Sequence, residues 1–233
     1  RRRKISATSN DANGNRKKWI LFCTGIQHGG NLAVCAQLLA RGDEVVGIDN
    51  LSDYYDPVLK RARLDRLSAL GQAFSFERLD LAERDAVAAA FDAHAPERVV
   101  HLAAQPGVRH SLENPHAYVD SNLVGFVNLL ECCRHHGVKH LVFASSSSVY
   151  GDSEASPKKE GQEGTVLSPY AASKLVNEIY SEVFCSLYDI EIIGLRYFNV
   201  FGPRQDPKSQ YAAVVPLFIT ALLKGEAPTV NGT

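Results

Sequence analysis

From Trp19 onward, short apolar runs alternate with longer stretches in which apolar residues recur at helical spacing. The runs 19–24, 44–49, 74–79, 98–102, 139–144 and 191–196 are too short for stable helices and are rich in β-branched, aromatic and other apolar residues. That pattern predicts strands buried on both faces. Between them the spacing predicts helices over 32–41, 57–70, 83–94, 117–136 and 169–188. Alternating strand and helix builds a parallel sheet with helices on both faces. The right-handed crossover rule then leaves a doubly wound α/β fold of Rossmann type as the expectation.

An open parallel sheet binds its ligand at the carboxyl ends of its strands, and several polar groups fall there. The fifth run opens into Ser145-Ser146-Ser147-Ser148-Val149-Tyr150-Gly151, which puts hydroxyls at a strand end. After one loop, Tyr170-Ala171-Ala172-Ser173-Lys174 sets a phenol and an ammonium four residues apart, on one helical face. A cation beside a tyrosine favours the phenolate and lowers a pKa that is ordinarily about 10, which suits proton transfer near neutral pH. Asp49 ends the second run, where a carboxylate accepts hydrogen bonds from an adenosine ribose and repels a 2′-phosphate. That choice favours NAD over NADP. Asp80, after the third run, is placed to hold the adenine edge. Both aspartates are also open to the plainer role of turn or N-cap residue.

Composition narrows the partners. The chain has 233 residues, 45% of them hydrophobic, and a net charge of −1, which suits a globular protein with a sizeable core and no bias toward nucleic acid. No apolar run reaches the roughly 18 residues of a membrane span, so neither nucleic acid nor membrane is expected as a main partner. Residues 1–18 are polar and basic and are expected to form a disordered tail. The five cysteines, Cys23, Cys35, Cys132, Cys133 and Cys185, show no metal-ligand spacing, and an odd number argues against a disulfide framework. A reducing, cytoplasmic compartment and no bound metal are the expectations. Cys132-Cys133 and His135-His136 do not converge as ligands at helical spacing.

With these elements in place, the chain resembles the extended short-chain dehydrogenase/reductases and, among them, the nucleotide-sugar 4-epimerases. The resemblance is carried by Thr24-Gly25, Asp49-Asn50, Asp80-Leu81, His101-Leu102-Ala103-Ala104-Gln105, Ser146 ahead of Val149-Tyr150-Gly151, Tyr170 with Lys174, and the run from Arg196 to Pro203. It implies Tyr170 as catalytic base, Lys174 as its electrostatic partner and nicotinamide-ribose ligand, and Ser146 as the hydroxyl on the substrate 4-OH. It sets NAD against Gly25, Gly29, Asp49, Asn50, Asp80, Leu81, Leu102, Ala103, Ala104 and Asn122. It sets the sugar nucleotide against Arg109, Ser146, Ser147, Asn199 and Val215. It also implies a homodimer through the helices over 117–136 and 169–188, an NAD-binding domain over 19–195, and the start of a smaller substrate domain over 196–233 that is only partly present.

The serine run bears on the reaction. The 4,6-dehydratases of the superfamily that the chain resembles carry an acidic pair just before the Val-Tyr-Gly element, and its decarboxylating members typically a glutamate; here Ser147 and Ser148 stand there. The resemblance therefore implies epimerisation at C4 of a UDP-sugar through a 4-keto intermediate. The stretch 108–118 resembles UDP-glucuronate 4-epimerases and the stretch 197–216 UDP-N-acetylglucosamine 4-epimerases; Asn199 tips the expectation to the second. One motif departs from the pattern. Of the three glycines expected in the phosphate-binding turn, Gly25 is present, but His28 and Asn31 replace the others, with Gly29 and Gly30 displaced. Those glycines allow a tight turn, close backbone approach to the pyrophosphate and close helix packing. Weakened NAD affinity is expected, with Asn31 pressing its helix off the sheet. A catalytically silent nucleotide-sugar-binding relative is the alternative reading, and a dehydrogenase with exchangeable cofactor a third.

Overall fold

The structure is a computed structural model that describes residues 17–22, 30–200, 202 and 214–228. Strands β1 (Lys18–Phe22), β2 (Glu44–Ile48), β3 (Phe74–Glu77), β4 (Arg98–His101), β5 (His140–Ser146) and β6 (Glu191–Tyr197) form one sheet in the order β3-β2-β1-β4-β5-β6. All five pairings are parallel. The chain winds outward from β1 to β3, then returns to β4 and winds the other way. This is the expected Rossmann-type arrangement, and it opens a crevice at the carboxyl edge between β1 and β4.

Successive strand residues face opposite ways, and they divide the core into two layers. On one face Ile20, Val46, Val99, Leu141 and Phe143 pack against Val87 and Phe91 of α3 (Arg84–His94) and Phe126, Leu129 and Leu130 of α6 (Gly125–His135). On the other, Val45, Phe74 and Val100 pack against Leu32, Cys35 and Leu38 of α1 (Gly30–Ala40) and Leu67 of α2 (Pro57–Ser68). Each buried Leu, Ile, Val or Phe contributes about 1.5–3 kcal/mol, so these layers hold the sheet edge rigid enough to carry chemistry.

The helix that matters most for the site, α7 (Pro169–Leu187), is started by local sequence. The Ser168 hydroxyl accepts from the Ala171 amide at 3.1 Å, and Pro169 occupies the first helical position, where its missing N–H costs nothing. Tyr170 is thereby fixed in the first turn.

The long helix expected over 117–136 is present as a continuous helical run over 115–135, with a π-helical turn inside it. Asn114 caps its start at Pro115, giving α5 (Pro115–Tyr118), and the π-helical turn, Val119–Val124, joins it to α6. Ahead of it, α4 (Val108–Glu113) forms where the pattern predicted no helix. The π turn carries the buried Asn122, and such turns cluster at functional sites. Gly125 follows it for a steric reason: a Cβ there would stand 2.8 Å from Leu81 Cβ. Strand β5 runs on through Ser146, so Ser145 and Ser146 extend the strand instead of following it. After the 3₁₀ turn Ser147–Tyr150, Gly151 takes φ 55°, and a Cβ would lie 2.0 Å from the Thr165 carbonyl oxygen. Helix α8 (Val214–Leu223) comes after β6. Among the described residues, no helix is long and apolar enough to cross a membrane.

Candidate active site

At the carboxyl end of β5, three side chains meet. Ser146 is buried, caps the following 3₁₀ turn by accepting from the Ser148 amide at 3.2 Å, and hydrogen-bonds the Tyr170 phenol. One turn along α7, the fully buried Lys174 donates from Nζ to the Ala144 carbonyl at 2.9 Å. The Tyr170 ring meets that of Tyr118 edge-on at 6.1 Å. Ser146, Tyr170 and Lys174, singled out from sequence, are thus assembled in one place.

Their electrostatics correct one expectation. Burial holds the Tyr170 phenol above its ordinary pKa, and the opposing contribution comes from the Ser146 hydrogen bond. Lys174 itself is pushed down to about 8 by burial. Its ammonium is turned to the Ala144 carbonyl, so it does not lower the tyrosine as expected. His101, buried beneath the site at the end of β4, is held neutral, at about 3, by burial and then by the Lys174 charge.

Two networks brace the trio. Asn122 accepts from the Gln105 amide at 2.7 Å and donates to the Gln105 carbonyl at 3.1 Å and to Ser173 Oγ at 3.0 Å. Ser173 Oγ in turn donates to the Tyr170 carbonyl at 2.8 Å, so the loop after β4 is tied to the first turn of α7. The second network went unseen in the sequence. Glu178 follows Lys174 at i+4, so Tyr170, Lys174 and Glu178 share one face. Glu178 accepts from Arg196 of β6 at 2.7 and 3.0 Å and from Ser145, the neighbour of Ser146. Arg196 also pairs with Glu163 and lies over the Tyr150 ring at 4.8 Å.

On the other side of the crevice, Asp49 directly follows β2 and is 2% exposed. Its Oδ1 accepts from the Leu51 amide at 2.6 Å and from Lys60 Nζ at 3.3 Å. Burial raises the Asp49 pKa, and the Lys60 charge and the two hydrogen bonds oppose that rise. Lys60 was missed, yet it had a signal: Lys60, Arg63 and Leu67 fall on the inward stripe of α2, where cations are out of place. Asp80 takes the turn role, accepting from the Ala82 amide at 2.9 Å, and its other oxygen accepts from Asn50 at 2.8 Å. Asn50, Asp80, Leu81 and Ala104 line one cleft. Leu102 and Ala103 pack into the two core layers.

Gly25, His28 and Gly29 lie outside the described residues. Asn31 is buried near the start of α1, and that helix still packs Leu32 and Cys35 on the sheet. Ser147 opens the 3₁₀ turn beside Ser146 and is half-buried. Arg109 on α4 and Asn199 beyond β6 are exposed, and Val215 on α8 is half-buried. Among the described residues, no hydrogen bond ties these four to Tyr170 or Ser146.

Comparison with known proteins places the chain among epimerases. A family described as the NAD dependent epimerase/dehydratase family matches residues 31–233. UDP-glucuronate 4-epimerase of Thermodesulfobacterium geofontis is 44% identical over 170 residues, 73% of this chain and 52% of that protein. Among solved structures, UDP-N-acetylglucosamine 4-epimerase from Methanobrevibacter ruminantium M1, in complex with UDP-N-acetylmuramic acid, has a TM-score of 0.80 at 33% identity, over 94% of this chain and 66% of that one. UDP-glucuronic acid 4-epimerase from Bacillus cereus, in complex with UDP-glucuronic acid and NAD, has a TM-score of 0.76 at 32% identity, over 92% and 66%. The chain spans about half the length of the curated relatives it matches. Since the family match takes in everything from the start of α1 through the Ser-Tyr-Lys site to the last residue, the chain belongs to the NAD dependent epimerase/dehydratase family.

Proposed function

We propose that this chain carries the cofactor-binding and catalytic part of an NAD-dependent UDP-sugar 4-epimerase. The observation that carries the reading is the Ser146–Tyr170–Lys174 assembly at the carboxyl edge of the sheet, with Ser146 and Lys174 buried and Tyr170 half-buried, across the crevice from a buried carboxylate at the end of β2. Asp49 fits a dinucleotide, since both of its hydrogen bonds fall on Oδ1. Asn50, Leu81 and Ala104 would line the adenosine side, with Asp80 holding Asn50 in place. Lys174 would reach the nicotinamide ribose, and Asn122 supports that end by fixing Gln105.

When bound, NAD supplies the hydride acceptor, and then donor, at C4 of the sugar. Tyr170 takes the proton of the C4 hydroxyl and later returns it, with Ser146 hydrogen-bonding the same oxygen. Because burial favours the protonated phenol, Tyr170 needs positive charge nearby to act as a base; Lys174, if it turned from the Ala144 carbonyl, would supply it beside the bound NAD. Serine at 147 and 148 supplies no acid at those two positions for elimination of water, which favours epimerisation.

For the sugar, we infer the UDP-N-acetylglucosamine/UDP-N-acetylgalactosamine pair, supported by the 197–216 stretch and by the archaeal structure at TM-score 0.80. The second reading, UDP-glucuronate, is favoured by the 44% identity to a UDP-glucuronate 4-epimerase. Incubating both UDP-sugars with NAD-loaded protein and following the C4 epimers by NMR decides between them. A homodimer through α6 and α7 is proposed from the exposed Ile179, Tyr180 and Val183 on α7 and Val124 on the π turn that leads into α6. Light scattering should give twice 25.5 kDa, and a mass that stays at 25.5 kDa overturns it.

A further inference from the structure

Between β2 and α2 the chain makes a short segment, Leu51 to Asp56, that no part of the proposed chemistry uses. Sheet order gives it a particular position. Strands β2 and β4 are not neighbours, because β1 lies between them. Yet the Tyr54 hydroxyl, on the loop after β2, donates to the Pro106 carbonyl, on the loop after β4, at 3.1 Å. This bond therefore passes over the end of β1, at the place where the winding reverses and a dinucleotide would cross.

The far side of the bond is a built receptor. Tyr118 is buried and donates to the same Pro106 carbonyl at 2.7 Å and to the Gly107 carbonyl at 2.6 Å, which holds that turn still. The Tyr54 ring also packs against His110 of α4 at 5.2 Å, and His110 against Tyr118 at 6.2 Å. The near side is anchored as well. The Leu51 amide is held by Asp49 and the Ser52 amide by Asn50 at 3.0 Å, while Asp56 caps α2 by accepting from Val58 at 2.8 Å. Leu51 takes φ 54°, a left-handed conformation that strains a non-glycine residue and persists where its surroundings enforce it. Tyr54 and Tyr55 wall the same cleft that Asn50, Asp80 and Ala104 line.

We propose that Tyr54 is a cofactor-retaining residue: residues 51–56 form a strap across the dinucleotide cleft, latched by the Tyr54 hydroxyl on Pro106, and the latch governs how fast NAD leaves. The proposal rests on the reading of this crevice as an NAD site and goes beyond it. Retention suits a reaction in which the same cofactor gives back the hydride it took, because NAD has no need to exchange between turnovers.

The test is a chase. Protein loaded with radiolabelled NAD is mixed with excess unlabelled NAD, and release is followed for the wild type, Tyr54→Phe and, as a control far from the cleft, Tyr188→Phe. Losing one such hydrogen bond should speed release about five- to tenfold, with little change in uptake rate, while Tyr188→Phe behaves as wild type. Hydrogen exchange of cofactor-free protein gives a second readout: Tyr54→Phe should lose amide protection over residues 51–56 and 105–108. Equal release rates with unchanged protection overturn the latch. A wild-type protein that takes up no NAD overturns the functional reading, and the latch with it, whatever the exchange data show.

Discussion

Replacing Lys60 with methionine probes the arrangement on which the cofactor side depends. Asp49 and Lys60 are each 2% exposed and stand 3.3 Å apart, so Lys60→Met leaves a carboxylate in the core with its neutralising partner gone. Removing one member of a buried pair costs about 3–5 kcal/mol. In a chain of this length each kcal/mol moves the melting temperature by roughly 2–4 °C, so a drop of about 6–20 °C is expected near pH 7. The pH dependence identifies the cause. Burial already raises the Asp49 pKa against the opposition of Lys60, and removing Lys60 raises it further. A folded-state pKa above the unfolded value gives stability that is present in acid and lost as pH rises through the folded pKa. The Lys60→Met penalty should therefore be smallest in mild acid and grow toward neutrality, and adding Asp49→Asn should recover most of it. Calorimetry of both variants across about pH 5 to 8 measures this. A Lys60→Met protein that melts with the wild type at every pH would refute the pairing as the support of Asp49.

Further consequences follow from Tyr170 and Gly125. The ultraviolet difference titration between wild type and Tyr170→Phe should show the Tyr170 phenol ionising above its ordinary value without cofactor, and lower once NAD is added; ionisation below the ordinary value in cofactor-free protein contradicts the dominance of burial. Gly125→Ala would push a methyl to 2.8 Å from Leu81 Cβ, so chemical denaturation should show a loss of about 1–3 kcal/mol, and an unchanged midpoint would mean that α6 shifts freely.

The sequence was most legible where periodicity is strong. All six strands and the doubly wound topology could be read from the alternation of short apolar runs and helical spacing, although the edge strands β3 and β6 are only partly buried. The trio at Ser146, Tyr170 and Lys174 was legible because a strand end and one helical face fix their placement. Boundaries set by sterics and side-chain capping were harder. The π turn distorts a stretch whose apolar spacing alone reads as one regular helix, and the separate helix Val108–Glu113 ahead of Asn114 was not read at all. Long-range polar pairs were invisible: Lys60 with Asp49, Glu178 with Arg196, and Tyr54 with Pro106 depend on crossovers that no local window contains. The direction of the Tyr170 pKa was misjudged because spacing shows that a lysine is near, and not that it is turned to a backbone carbonyl.

The most direct test of the proposed chemistry is NMR of UDP-N-acetylglucosamine and UDP-glucuronate, each incubated with NAD-replete protein, wild type beside Tyr170→Phe. The predicted result is a C4 epimer from one of the two sugars, formed at a rate that falls by about two to four orders of magnitude in Tyr170→Phe. NAD-replete wild-type protein that forms no C4 epimer from either sugar, or Tyr170→Phe protein that forms it as fast, would contradict it.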